Sequence, residues 1–369
     1  MAAQNMSTHS DKESASEKEA AVTVVSNGSR VGAPEGPPAE RSFQRITLER
    51  IDPNLFLAKP ENLWKPVFGR AIYGGQVLGQ AVAAASQTVH PGLSLHSLHG
   101  YFVRGGQPQH PIVYDIKRIR DGASFSTRGV AAKQDGEWIF TMQASFHKPE
   151  FASLDQQAFM PSVPDPETLP TQLERLEHFI SEIKVDPEDK QQRDFMQLWL
   201  SIARSQRQQG SPVDTRPVLD HWNFSTGAVE QESAKQALAS FGMPTNIVWF
   251  RASNPLPDDE YVHHAVLAYQ SDAGLLTTAR SKVPMAEFAK SKPMMASLDH
   301  SMWFHLPFPR WRADEWLLYV TYSPRVTGAR ALAHGHIYTR EGLLVVSCSQ
   351  EGLIRLGTDR DAAEANSKL

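Results

Sequence analysis

Cysteine is almost missing from this chain of 369 residues, where Cys348 is the only one. A lone thiol makes no internal disulfide, so a disulfide-stapled fold is excluded and a reducing compartment is compatible. No apolar run approaches the roughly 20 residues of a membrane-crossing helix, so no membrane span is expected. An excess of basic charge is also lacking. The formal net charge of −4 gives no general reason to expect nucleic acid as a partner. The N-terminus has no secretory apolar region, and its acidic residues Asp11, Glu13, Glu17 and Glu19 argue against a transit peptide. No G-x-S-x-G elbow occurs, which removes the usual α/β-hydrolase nucleophile. Neither H-E-x-x-H nor C-x-x-C occurs, so no metal is expected. Most of the 14 histidines must then be structural.

What is present is an ordinary globular composition, 41% hydrophobic and 21% charged, of a length that suggests two domains. Residues 1–42 are rich in Ala, Ser, Glu, Gly and Pro, as in RVGAPEGPPAE, and are expected to be a disordered tail. The first structured block spans 43–150. Residues 151–216 carry several prolines and then polar text such as TQLERLEHFISEI, a connector with surface helices. A second block spans 217–357, and 358–369 form a tail. That tail ends Ser367-Lys368-Leu369, an address read by the peroxisomal import receptor, so a peroxisomal location is expected.

The two blocks repeat one another. Each has strand-like text on both sides of an acidic residue plus Gly: RGVAAKQDGEWIFTMQASF around Asp135-Gly136, and ALAHGHIYTREGLLVVSCSQEG around Glu341-Gly342. Asp-Gly between such runs is a strong hairpin signal and Glu-Gly a weaker one. Further upstream each block has one apolar helix, Tyr73–Val89 with many small residues and Tyr261–Ala279. The fold class is therefore α+β, a tandem of two units, each a long helix against an antiparallel sheet.

Three segments carry candidate chemistry. In the second helix Val262, Val266, Tyr269 and Leu276 share a face, and Asp272 lies on the same stripe. Either the helix breaks there, with Asp272 capping the next turn and Gly274 easing the join, or the carboxylate sits half-buried and orients or deprotonates a water. The segment MMASLDHSMWFH holds Ser297, Asp299, His300, Ser301 and His305, an invitation to a triad that the absent elbow declines. In LLVVSCSQEGLIR, strand alternation puts Leu344, Val346, Cys348 and Gln350 on one face. Cys348 then lies among apolar neighbours, which makes a thiol inert. Gln350 is the oddity, because a buried amide needs partners or a ligand. The repeat sets it opposite Ala144, an amide where the first block has a methyl group.

The runs FGRAIYGGQVLGQAV, LHSLHGYFVRGG, IRDGASFSTRGVAA, PDDEYVHHAVLAYQSD, LDHSMWFH and SQEGLIR closely resemble the type II acyl-CoA thioesterases. The resemblance runs from about Phe43 to Arg355, apart from much of the connector. It implies a double hot-dog fold, an acyl-CoA substrate hydrolysed to free acid and CoA, no cofactor, and association into homo-oligomers. By motif it carries the family's catalytic residues onto Asp272, Ser297 and Gln350, and a supporting histidine onto His96, with His99 a near alternative. A hot-dog enoyl-CoA hydratase and a non-catalytic acyl-CoA binding protein are the competing readings. Against the first, no histidine stands beside Asp272 in its own segment; against the second, all three polar positions are kept.

Overall fold

A computed structural model describes residues 44–66, 69–150, 154–182, 197, 200–201, 204, 212–218, 243, 245–280 and 293–357. The expected tails, with Ser367–Leu369, and much of the connector lie outside them. The first unit contributes β1 (Glu49–Asp52), β2 (Leu55–Ala58), β3 (Ser94–Phe102), β4 (Ile112–Asp121), β5 (Phe125–Gln134) and β6 (Glu137–His147) around helix α1 (Gly74–Ser86). After α2 (Gln172–Glu182), the second unit contributes β7 (Val213–Pro217), β8 (Thr245–Ala252), β9 (Met294–Ser297), β10 (Asp299–Phe304), β11 (Leu317–Thr327), β12 (Arg330–Thr339) and β13 (Leu344–Arg355). Its helices are α3 (Glu260–Ser271) and the short α4 (Leu275–Thr278).

These strands form one 13-stranded antiparallel sheet in the order β1-β2-β4-β5-β6-β3-β10-β13-β12-β11-β8-β7, with β9 on β13. The repeat is thus joined through its sheets: β3 of the first unit pairs with β10 of the second, Leu98 opposite Met302. Strand β7 pairs with β8, so the second unit's sheet begins within the segment expected to be connector. Sequence reading missed β7 because VDTRP is short, polar and ends in proline, which is tolerated only because β7 is an edge strand.

The Asp135-Gly136 turn is as expected. Both residues have positive φ, 51° and 82°, the two-residue hairpin geometry whose twist matches the strands. Counting nine residues on from Asp135 and from Glu341 reaches Ala144 and Gln350, so these positions are structural equivalents.

Helices α1 and α3 pack antiparallel under the sheet. Their approach is close because α1 presents glycine: a Cβ on Gly75 would stand 2.3 Å from the Tyr269 carbonyl oxygen, and one on Gly79 would stand 2.8 Å from that of Ala265. Buried amides tie the preceding chain to α1. Gln76 Nε2 donates to the carbonyls of Arg45 and Asn62, and Gln80 takes the Tyr114 hydroxyl at 2.7 Å. Helix α3 starts on Asp259, whose carboxylate accepts from the Tyr261 N–H. Of the two readings of Tyr261–Ala279, one helix or a break at the Asp272–Gly274 join, the structure has the break: α3 stops at Ser271, Gly274 turns the chain at φ 78°, and α4 follows. His263 and His264 are buried on α3. His263 Nδ1 accepts from the Ala313 N–H, and His264 packs between Phe304 and Trp311, so both serve structure. Among the described residues no helix is long and apolar enough to cross a membrane, and no cluster of His, Cys, Asp and Glu is placed to hold a metal ion.

Candidate active site

The break after α3 decides where the chemistry sits. Asp272 is the C-cap of α3, the negative end of a helix, where a carboxylate is disfavoured. Two features offset this. The last carbonyls of α3 are occupied by tyrosine hydroxyls, Tyr73 on Tyr269 O at 2.9 Å and Tyr319 on Ser271 O at 2.5 Å. The positive end of α1 meets the carboxylate, with the Gly75 N–H donating to Asp272 Oδ2 at 2.8 Å. Asp272 does not cap the next turn, since the N-cap of α4 is Gly274 without a side-chain bond. Its other oxygen faces Ser297, whose Oγ lies 3.4 Å from Asp272 Oδ1.

Ser297 ends β9, held opposite Gly352 of β13. Gln350, fully buried, points from β13 to the same place and donates from Nε2 to Ser297 Oγ at 2.6 Å. The chain of bonds Gln350–Ser297–Asp272 therefore joins three elements, and Gly75 adds a fourth from the other unit. At 3.4 Å the Ser297–Asp272 contact is much longer than the ~2.7 Å of a settled O–H···O bond, so a small polar molecule can take Asp272 from the serine with little loss.

Cys348 is excluded from the chemistry. It is 2% exposed, touched by Tyr319 Oη at 3.3 Å, and burial pushes its thiol up to about 12. Near neutral pH almost none is thiolate, the reactive form.

The structure brings Asp272, Ser297 and Gln350 together and leaves His96 apart. His96 Nε2 pairs with Ser145 Oγ at 2.8 Å, and its ring packs on His147 and Phe125, all in the first unit. Burial, then His147, lowers its pKa. His99 bonds Ser301 Oγ on the exposed face. Sequence reading missed the Gly75 N–H, though the Gly-Gly pair opening α1 was a visible signal of close backbone approach. It also passed over His300, considered only as a triad member.

Comparison with known proteins bears on this geometry. A family model described as acyl-CoA thioesterase matches residues 224–353, and one described as acyl-CoA thioesterase N-terminal domain matches 62–147. Acyl-coenzyme A thioesterase 8 of Mus musculus is 38% identical over 312 residues, covering 84% of this chain and 88% of the relative. The chain belongs to the acyl-CoA thioesterase family. A solved acyl-CoA thioesterase II from Mycobacterium marinum is 34% identical with a TM-score of 0.60, covering 85% of this chain and 97% of that one. The fold is thus the double hot-dog that the family resemblance implies, and it agrees with the tandem of α+β units read from the repeat. A relative from Saccharomyces cerevisiae, 25% identical over 80% of this chain and 89% of its own, is named a peroxisomal acyl-coenzyme A thioester hydrolase.

Proposed function

We propose that this thioesterase hydrolyses acyl-CoA with one water held by Asp272, Ser297 and Gln350, and with Asp272 as general base. The observation that carries the reading is the convergence of these three side chains, from α3, β9 and β13, on one loosely closed contact. Water oxygen attacks the thioester carbonyl carbon while Asp272 takes its proton. The oxyanion is stabilised by the second N–H of the Gln350 amide, the first being given to Ser297. Collapse expels the CoA sulfur, which leaves readily because a thiolate is a weak base, and the proton on Asp272 passes to it. Free acid and CoA result, with every proton accounted for and no covalent enzyme intermediate.

The rival within the same site is Ser297 as nucleophile. Ser297→Ala separates the two. A water mechanism keeps about 1–10% of kcat, because the base and the amide remain. Intact-mass analysis of acid-quenched turnovers should show unmodified protein. An acyl adduct on Ser297 would sink the water mechanism. The hydratase reading forms no free CoA, and a binding protein releases none, so thiol release from palmitoyl-CoA distinguishes both from the thioesterase.

We also propose that the enzyme acts in peroxisomes, on the terminal Ser367-Lys368-Leu369 and the name of the yeast relative. An N-terminal fluorescent fusion should enter peroxisomes, and deletion of the last three residues should leave it in the cytosol. Equal import of both fusions overturns the assignment. Self-association, as the family resemblance implies, is part of the same proposal.

A further inference from the structure

The imidazole of His300 lies behind Gln350, fully buried, with a partner on each ring nitrogen. Nδ1 is 2.6 Å from Gln350 Oε1, and Nε2 is 2.9 Å from Ser271 Oγ. We infer that His300 is a positioning residue that sets the orientation of the Gln350 amide and, through it, the direction of the Ser297 hydroxyl. This inference rests on the reading of Asp272, Ser297 and Gln350 as the water-holding set.

An amide fits its slot in either of two orientations, and its neighbours choose between them. A ring carrying hydrogen on Nδ1 donates to the carbonyl Oε1 of Gln350 and cannot bond the amide NH2 there. Nε2 of the amide must then face Ser297 Oγ, 2.6 Å away, and donate to it. The hydroxyl, with its lone pair so engaged, points its own hydrogen toward Asp272. The Ser271 Oγ lies 2.9 Å from both the ring Nε2 and the Ala268 carbonyl oxygen, and in this arrangement its single hydrogen goes to the bare Nε2 rather than to Ala268. Shifting the hydrogen to Nε2 would turn the amide, and the Ser297 hydrogen would then go to Gln350 instead. One tautomer therefore fixes the polarity of three side chains. Burial lowers the His300 pKa, with Asp272 and the Gln350 bond working against it. The ring is neutral near neutral pH and orients groups without carrying the reaction's proton.

The first unit shows that packing alone does not require an imidazole here. The equivalent of Gln350 is Ala144, and its partner across the strands is Leu98. Both are buried and apolar. The same place in the fold holds an apolar pair in one unit and a hydrogen-bonded histidine and amide in the unit with the carboxylate.

The test is a double-mutant cycle with palmitoyl-CoA. His300→Leu, the residue of the other unit, should lower kcat by about 30-fold, with KM within about twofold, as expected for loss of an oriented donor. In a Gln350→Ala background the same change should cost less than about threefold, since the amide it orients is gone. His300→Asn, which keeps a donor near Nδ1, should return kcat to within about fivefold of wild type. Equal losses in both backgrounds, or an Asn variant as slow as the Leu variant, overturn the inference. If His300→Leu does not fold, Ser271→Ala decides: a loss of about threefold or more confined to the Gln350 background supports the inference, and an equal loss in both overturns it. Asp272→Asn run alongside separates the levels. Full turnover there removes the catalytic reading itself, whereas its loss with a normal His300→Leu removes only the role of His300.

Discussion

Asp272→Asn is expected to lower kcat for acyl-CoA hydrolysis by about 10³-fold, within the range that a general base supplies. KM should stay within about threefold, because the change is isosteric and removes an interaction made in the transition state. Two losses combine. The amide accepts no proton from water, and its NH2 group, if the carbonyl keeps the Gly75 N–H, faces Ser297 Oγ as a donor. The serine hydrogen, which the carboxylate attracts across 3.4 Å, is then turned away. The fold should survive, since the Gly75 bond to this side chain can persist with the amide oxygen. Near wild-type turnover by a folded variant would remove Asp272 from the mechanism.

Gly75→Ala is expected to destabilise the protein and slow it together. The added Cβ would sit 2.3 Å from Tyr269 O and 2.6 Å from the Tyr73 ring, and a helix backbone cannot yield as a flexible side chain can. Separating α1 from α3 should cost about 1–2 kcal/mol, the upper part of the overpacking penalty after about 1 kcal/mol for alanine's better helix propensity is allowed for. That corresponds to a drop in melting temperature of roughly 2–8 °C in a large domain. The same movement withdraws the N–H from Asp272, so kcat should fall by about tenfold or more. Gly79→Ala is the control. Its Cβ would meet Ala265 O at 2.8 Å, one turn from the carboxylate, so stability should fall with kcat nearly unchanged. A Gly75→Ala enzyme that melts and turns over like wild type would mean that the helices part freely.

Some of this was legible before any coordinates. The Asp-Gly turn, the repeat and the alternation of β13 rest on local rules, and each is found as read. The burial of Cys348 followed from period two, and the asymmetry between Gln350 and Ala144 from the repeat. The apolar spacing of Tyr261–Ala279 continues past the break, so spacing alone does not choose between one helix and two. Gly274 marked the join, but nothing local shows that two tyrosine hydroxyls from other elements terminate α3. His96 was carried over by motif, and its side chain turns to Ser145 and His147. A motif fixes a place in a strand, while the partners come from the strands beside it.

Ser297 came only from the family resemblance. By itself the sequence determined the two α+β units, the hairpins, the inert thiol and the suspicion that falls on Asp272 and Gln350. These depend on propensities and periods that act over a few residues. Tertiary structure alone decided that the units share one sheet through β3 and β10, and that Asp272 receives an N–H from Gly75, 197 residues earlier. It also decided that His300 stands behind Gln350. Contacts of that kind depend on how whole elements pack, and no pattern of hydrophobic spacing along the chain encodes which hydrogen bond closes between residues so far apart.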